Sequence, residues 1–131
     1  MIVIDASVLT NLTVYTDERG TRASEAMSRD TEWVAPEHWR AETFSAIRGL
    51  TLGRKIEEAH GAKAIRRIAW LTVRSAPISP LVPRMWELRN NISAYDAAYV
   101  ALAEDREATL VTADARMAAT ASGYCDVELV G

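Results

Sequence analysis

Four acidic residues lie at the end of an apolar run or within an apolar helix face: Asp5, Glu42, Asp96 and Asp114. Asp5 follows the β-branched run 2–4, and Asp114 lies two residues after the apolar stretch 108–112. Ligand sites of open α/β sheets lie outside the carboxyl ends of the strands, so both positions suit a functional site. Aspartate is also a good helix N-cap, and the sequence leaves capping and function equally open for these two residues.

Glu42 and Asp96 are more informative because each lies on the apolar side of a predicted helix. Glu42 shares a helix face with Trp39, three positions before it, and Asp96 shares one with Tyr99, three positions after it. An ionised carboxylate is rarely buried alone, so we expect an ion pair, a raised pKa or a bound metal. Asp96 has no charged residue three or four positions away, whereas His38 is an alternative partner four positions before Glu42.

Together the four acids predict one anionic pocket that binds a hard cation. Carboxylates held close together repel each other unless a cation neutralises them. Oxygen ligands suit Mg²⁺ or Mn²⁺, while a zinc site needs more than the two histidines and one cysteine of this chain. Acidic clusters that hold such ions carry out phosphoryl-transfer chemistry, in which a metal activates water and stabilises the leaving oxygen.

The elements that must hold these acids alternate between strands and helices. Apolar runs predict strands at 2–4, 33–35, 76–80, 108–112 and 126–130, the third at a sheet edge because it contains prolines. Periodicity and capping residues predict helices at 6–15, near 21–30, from Pro36 to Gly53, and at 56–73, 83–90, 94–107 and 113–122. This alternation is typical of an α/β sandwich with a central, mostly parallel sheet of 4–5 strands flanked by helices.

Composition narrows the class of protein. A chain of 131 residues, 49% hydrophobic and 25% charged, predicts a single globular domain over 1–131. No apolar run is long enough for a membrane span, and no signal-peptide pattern is present at the start of the sequence. We therefore expect a cytoplasmic protein that does not associate with a membrane.

The charges are distributed unevenly along the chain. The net charge is −3, yet residues 40–89 carry ten Lys and Arg against four Asp and Glu. A candidate basic surface for an RNA backbone or an acidic partner comprises Arg48, Arg54, Lys55, Lys63, Arg66, Arg67 and Arg74. The alternative is that these residues form the solvated faces of amphipathic helices, which charge alone favours.

The N-terminal helices carry more apolar side chains than the edge of a small domain requires. The residues concerned are Val8, Leu12, Tyr15 and Trp39. We interpret them as the lining of a groove that binds a partner protein.

Four segments contain the acids in a distinctive local context: IVIDASVL at 2–9, PEHWRAE at 36–42, YDAAYVALA at 95–103 and LVTAD at 110–114. Together they resemble PIN-domain ribonucleases, and more narrowly VapC-type toxins of bacterial toxin–antitoxin pairs. The resemblance runs nearly end to end, and the ordered set of spaced acids, with a threonine two residues before the last one, is specific to this family.

The resemblance implies a PIN fold and Mg²⁺- or Mn²⁺-dependent endoribonuclease activity at an acidic site of Asp5, Glu42, Asp96 and Asp114. It implies that Thr112 orients an acid or a water molecule, and that the partners are RNA, a second copy of the chain and a cognate VapB-type antitoxin. A housekeeping RNA-processing PIN nuclease is the alternative that stays open. A non-catalytic PIN-fold module that binds partners is a further one, although such a module is expected to lack one of the acids.

Overall fold

The computed structural model describes all 131 residues, which form a five-stranded sheet and seven α-helices. The strands are β1 (Ile2–Ile4), β2 (Trp33–Pro36), β3 (Arg74–Ala76), β4 (Thr109–Thr112) and β5 (Val127–Leu129). The helices are α1 (Ala6–Val14), α2 (Glu18–Ser28), α3 (Trp39–Leu52), α4 (Glu58–Trp70), α5 (Val82–Glu87), α6 (Ala94–Arg106) and α7 (Ala115–Ala121).

All five strands are parallel and lie in the order β3-β2-β1-β4-β5. The centre of the sheet is β1, which pairs with β2 on one side and with β4 on the other, with Ile4 opposite Val111. Because the strands are parallel, their carboxyl ends meet at one edge, and the chain enters a helix just beyond that edge after β1 and after β4. The predicted α/β fold is confirmed.

The core lies on both faces of this sheet. Val3 and Ile4 of β1 and Leu110 and Val111 of β4 are fully buried, as expected for central strands covered by helices. In α6 the whole segment 97–103 is buried. None of the helices is both long enough and apolar enough to cross a membrane.

Two predicted boundaries that involve prolines are wrong. The edge strand predicted at 76–80 is β3, which ends at Ala76, because Pro77 has no N–H group to donate to the ladder. Pro80 instead lies in the 3₁₀ helix Ser79–Leu81, at a position where no N–H is needed. Pro36, predicted to open a helix, is the last residue of β2, and α3 begins only at Trp39.

Candidate active site

Asp5 lies where β1 ends and α1 begins, and its carboxylate is the N-cap of that helix. Its Oδ1 accepts hydrogen bonds from the backbone N–H groups of Ser7 and Val8, at 3.1 and 3.2 Å. Only 6% of Asp5 is exposed, and this burial raises the pKa of Asp5 to about 6, although its hydrogen bonds favour the ionised form. Capping therefore occurs, and it places a buried carboxylate at the carboxyl edge of the sheet.

Two hydroxyl groups join Asp5 to the neighbouring strand. Ser7 Oγ donates to Asp5 Oδ1, and Thr112 Oγ1 donates to Asp5 Oδ2, both at 2.5 Å. The same hydroxyl oxygens accept the backbone N–H groups of Ala113 and Asp114, at 2.9 and 3.1 Å respectively. Sequence reasoning missed Ser7. The available indication was its position two residues after a capping aspartate, where the hydroxyl can reach back to the carboxylate.

Glu42 lies in the first turn of α3, and its hydrogen-bond partner is a tyrosine of α6. The hydroxyl of Tyr99 donates to Glu42 Oε1 at 2.8 Å. Burial raises the pKa of Glu42, the Tyr99 hydroxyl lowers it, and the charge of Asp96 raises it again. Glu42 in turn adds to the rise in the pKa of Asp5, for which burial is the largest cause. These three carboxylates therefore interact electrostatically.

The role of Tyr99 was missed because the sequence marks it only as part of an apolar face. The residue is 1% exposed, and a buried tyrosine hydroxyl needs a hydrogen-bond partner. Burial raises the pKa of Tyr99, and the nearby charge of Glu42 raises it further, so this hydroxyl remains protonated and donates. A buried tyrosine and an inward acid on another helix are candidates for such a contact, but the sequence alone does not pair them.

His38, the alternative partner of Glu42, does not form an ion pair with it. Its Nε2 lies 3.6 Å from Glu42 Oε1 and has no hydrogen-bond partner. Burial lowers the pKa of His38, so the ring is neutral at neutral pH. The ring instead packs between Tyr95 and Tyr99, with centroid separations of 5.1 and 5.5 Å.

The remaining two acids also lie at the starts of helices. Asp96 is partly buried in the first turn of α6. Asp114 is the exposed N-cap of α7, and its Oδ1 accepts the N–H groups of Arg116 and Met117, at 2.9 and 3.3 Å. Since unpaired N–H groups and the helix dipole favour negative charge, helix N-termini stabilise all four predicted acids.

Hydrogen bonds and charge interactions connect Asp5, Glu42, Asp96 and Thr112 into one acidic cluster. Asp114 adjoins this cluster through its backbone N–H, which donates to Thr112 Oγ1, while its carboxylate caps α7. No three Asp, Glu, His or Cys side chains lie close enough to ligate one metal ion directly. The donor chemistry nevertheless fits Mg²⁺, because all the donors are oxygens and Mg²⁺ keeps several water molecules while binding one or two carboxylates. A cation would relieve the repulsion that contributes to the raised pKa values of Asp5 and Glu42.

The basic surface is exposed on α3, α4 and the segments that follow them. Arg67 differs from the other six cations because its guanidinium donates to the carbonyl of Thr13 at 2.9 Å. The other six form neither a salt bridge nor a side-chain hydrogen bond, so their charges face solvent. Both interpretations, RNA contact and a solvated helix face, are compatible with this placement.

The predicted partner groove is wrong. Val8 and Trp39 are fully buried, and Leu12 and Tyr15 are partly buried. The indole Nε1 of Trp39 donates to Ser75 Oγ at 2.9 Å, which fixes the ring beside β3. The apolar excess of the N-terminal helices therefore belongs to the core, where α1 packs against its neighbouring helices.

Comparison with known proteins identifies the family of this chain. The chain matches the family model of the PIN domain over residues 2–123. VapC ribonuclease Mb0985 of Mycobacterium bovis is 37% identical over 130 residues, which cover 99% of this chain and 98% of the relative. Ribonuclease VapC12 of Mycobacterium tuberculosis is 33% identical over 130 residues, which cover 99% of each. The chain therefore belongs to the PIN-domain family and, within it, to the VapC ribonucleases.

A solved structure shows the same fold. Mycobacterium tuberculosis VapC20, described as a sarcin-ricin loop cleaving toxin, superimposes with a TM-score of 0.70 at 20% sequence identity. The match covers 98% of this chain and 99% of VapC20. It confirms the PIN-like sandwich that the sequence predicted.

Proposed function

We propose that this protein is a Mg²⁺-dependent endoribonuclease, active also with Mn²⁺, and the toxin of a VapBC-type toxin–antitoxin pair. The observation that carries the proposal is the buried carboxylate of Asp5, which Ser7 and Thr112 hold beside Glu42 at the carboxyl edge of the sheet. Full-length relatives that are ribonucleases support RNA as the substrate.

The residues of the site have distinct roles in this proposal. Asp5, Glu42, Asp96 and Asp114 would hold the ion, and Mg²⁺ when bound would supply Lewis acidity and an activated water at the scissile phosphate. The hydroxyls of Ser7 and Thr112 fix the two oxygens of Asp5 and favour its ionised form. Tyr99 fixes Glu42 through one hydrogen bond.

RNA cleavage by purified protein tests the enzymatic proposal. We expect cleavage of a single-stranded RNA in Mg²⁺, none in excess EDTA, and losses of at least ~100-fold in Asp5→Asn and Asp96→Asn, a scale typical of lost electrostatic support at a reacting centre. Asp105→Asn is the matched control, since Asp105 lies on the same helix as Asp96 but is exposed. Full activity in EDTA or in Asp96→Asn would contradict the assignment.

The partners proposed are a cognate VapB-type antitoxin and a second copy of the chain. Co-expression with the product of the adjacent small gene should give a stable complex without ribonuclease activity, and light scattering of the purified chain should give the mass of a homodimer. A chain that purifies alone, cleaves RNA and never binds that product would instead be a housekeeping nuclease.

A further inference from the structure

A cavity of about 470 Å³ lies beside the acidic cluster and is not used by the chemistry described above. It is lined by His38, Ala41, Glu42, Ser45, Ala46 and Tyr95. Glu42 belongs to both the cavity and the cluster, and Asp96 directly follows Tyr95 in the chain. A nucleotide next to a phosphate held at the acids is therefore within reach of this cavity.

Tyr95 presents an aromatic surface to the cavity. It is 65% exposed, and its ring packs against His38 with a centroid separation of 5.1 Å and an interplanar angle of 35°. His38 in turn meets Tyr99 edge to face, and the Tyr99 hydroxyl is bonded to Glu42. These successive contacts support the Tyr95 ring on one side and leave the rest of the ring accessible.

The remaining lining selects the kind of group that fits there. Ala41, Ser45 and Ala46 are small, exposed residues of α3, and small side chains leave room for a flat group beside the tyrosine ring. The lining contains one carboxylate, Glu42, and no lysine or arginine. A phosphate or an acidic peptide is therefore disfavoured, whereas a neutral planar ring with amino groups is suited to the cavity.

We propose that Tyr95 stacks against a nucleobase that flanks the scissile phosphate of single-stranded RNA, and that His38 is the positioning residue that supports it. The inference rests on the proposed function, because it takes RNA as the substrate. Single-stranded RNA is commonly bound by stacking its unpaired bases on aromatic side chains, which tolerates any base identity. Loss of one such stack weakens binding by about 5- to 150-fold.

Binding in EDTA tests the proposal without requiring cleavage. The probes are short single-stranded RNAs with 2-aminopurine at each position in turn, since stacking quenches its fluorescence. We expect quenching at one position with wild type and with Tyr95→Phe, and about 5- to 150-fold weaker binding without that quenching for Tyr95→Ala. Trp86→Ala is the control, because Trp86 is 66% exposed but lies outside the cavity, and it should behave as wild type.

Kinetics with Mg²⁺ separate stacking from a general structural role. Tyr95→Ala should raise KM more than it lowers kcat. An RNA with an abasic nucleotide at the quenched position should be cleaved less efficiently than the intact RNA by wild type. Tyr95→Ala should cleave the abasic and intact RNAs equally well. His38→Ala should also raise KM. His38→Phe should return KM to the wild-type value, because its ring again supports Tyr95.

The outcomes distinguish this inference from the proposed function. Equal RNA binding by Tyr95→Ala and wild type would overturn the inference, even for an active ribonuclease. Tyr95-dependent quenching without any cleavage would support the inference and overturn the enzymatic proposal. If Tyr95→Ala keeps full RNA binding but no longer binds the co-expressed small protein, the cavity is a protein-binding site and the inference is wrong.

Discussion

The hydroxyl of Thr112 donates a 2.5 Å hydrogen bond to Asp5 Oδ2, although 107 residues separate the two in sequence. The contact arises because β1 and β4 are adjacent parallel strands, with Ile4 opposite Val111. A residue of one strand thereby helps to orient a carboxylate that follows the other strand and favours its ionised form, although burial has the larger effect on its pKa.

Thr112→Val should impair cleavage by moving the pKa of Asp5 further upward. The Thr112 hydroxyl lowers that pKa, so its removal shifts the acidic limb of the pH–rate profile to higher pH. A hydrogen bond to a charged group contributes about 1.5–3 kcal/mol, or about 10- to 100-fold in rate. Thr112→Ser should retain the profile, as should Thr109→Val at the start of the same strand. An unshifted profile in Thr112→Val would contradict this role.

The stability of the metal-free protein should depend on pH through Asp5. The pKa of Asp5 is about 6 in the folded protein, against 3.8 for an unperturbed aspartate side chain. Protonation of Asp5 therefore favours the folded state, and its contribution to the free energy of unfolding is complete below about pH 3.8. This contribution is lost as the pH rises through about 6, and it amounts to roughly 3 kcal/mol. Denaturant unfolding in EDTA from pH 4 to 7 should show a weaker pH dependence in Asp5→Asn. Identical pH dependence in both proteins would rule out a strongly raised pKa.

Asp114→Asn should separate helix capping from catalysis. Asparagine caps as well as aspartate, so we expect nearly unchanged stability but a cleavage rate at least ~100-fold lower. Asp114→Ala should lose about 1 kcal/mol of stability in addition. Matched changes at Asp17, which caps α2 through the N–H of Arg19, should affect stability alone. Full activity of Asp114→Asn would make Asp114 a structural cap only.

Neutralising Lys63 and Arg66 together should flatten the salt dependence of RNA binding. Both are exposed on α4 without an ion pair, and each lost phosphate contact lowers the slope of log K against log salt by about 0.7 for a single strand. The double variant with glutamine at both positions is compared with Arg22→Gln, whose arginine pairs with Glu18. An unchanged slope would mean that this part of the basic surface is merely solvated.

The sequence predicts where the acids lie relative to the strands and helices, because strand ends can be recognised from local hydrophobic patterns. The buried run 2–4 ends at Asp5, and the run before Asp114 ends at Thr112, so parallel pairing alone brings these residues to one edge. Helical periodicity placed Glu42 on the inner side of α3. These inferences needed only local spacing and the general geometry of parallel sheets.

The contacts that the sequence did not predict are pairings between distant elements. The hydroxyl of Tyr99, on α6, donates to Glu42, on α3. The sequence pattern around either residue does not indicate that the other is its partner. The sequence predicts a surface groove at Val8 and Trp39, which are buried, because apolar helix residues give the same pattern in a core and at an interface. Only the packing of α1 and α3 into the domain distinguishes the two.

The central position of β1 has a consequence for the timing of activity during synthesis. β1 pairs with β4, which begins at Thr109 and carries Thr112. A growing chain that stops before residue 109 therefore lacks this strand pairing, and it also lacks the Thr112 hydroxyl and Asp114. Asp5 and Glu42 emerge early, but the site remains unassembled until β4 has been translated and inserted beside β1. We therefore expect fragments released by stalled translation, or by proteolytic cleavage upstream of β4, to lack the proposed ribonuclease activity, which would be gained in a single late step.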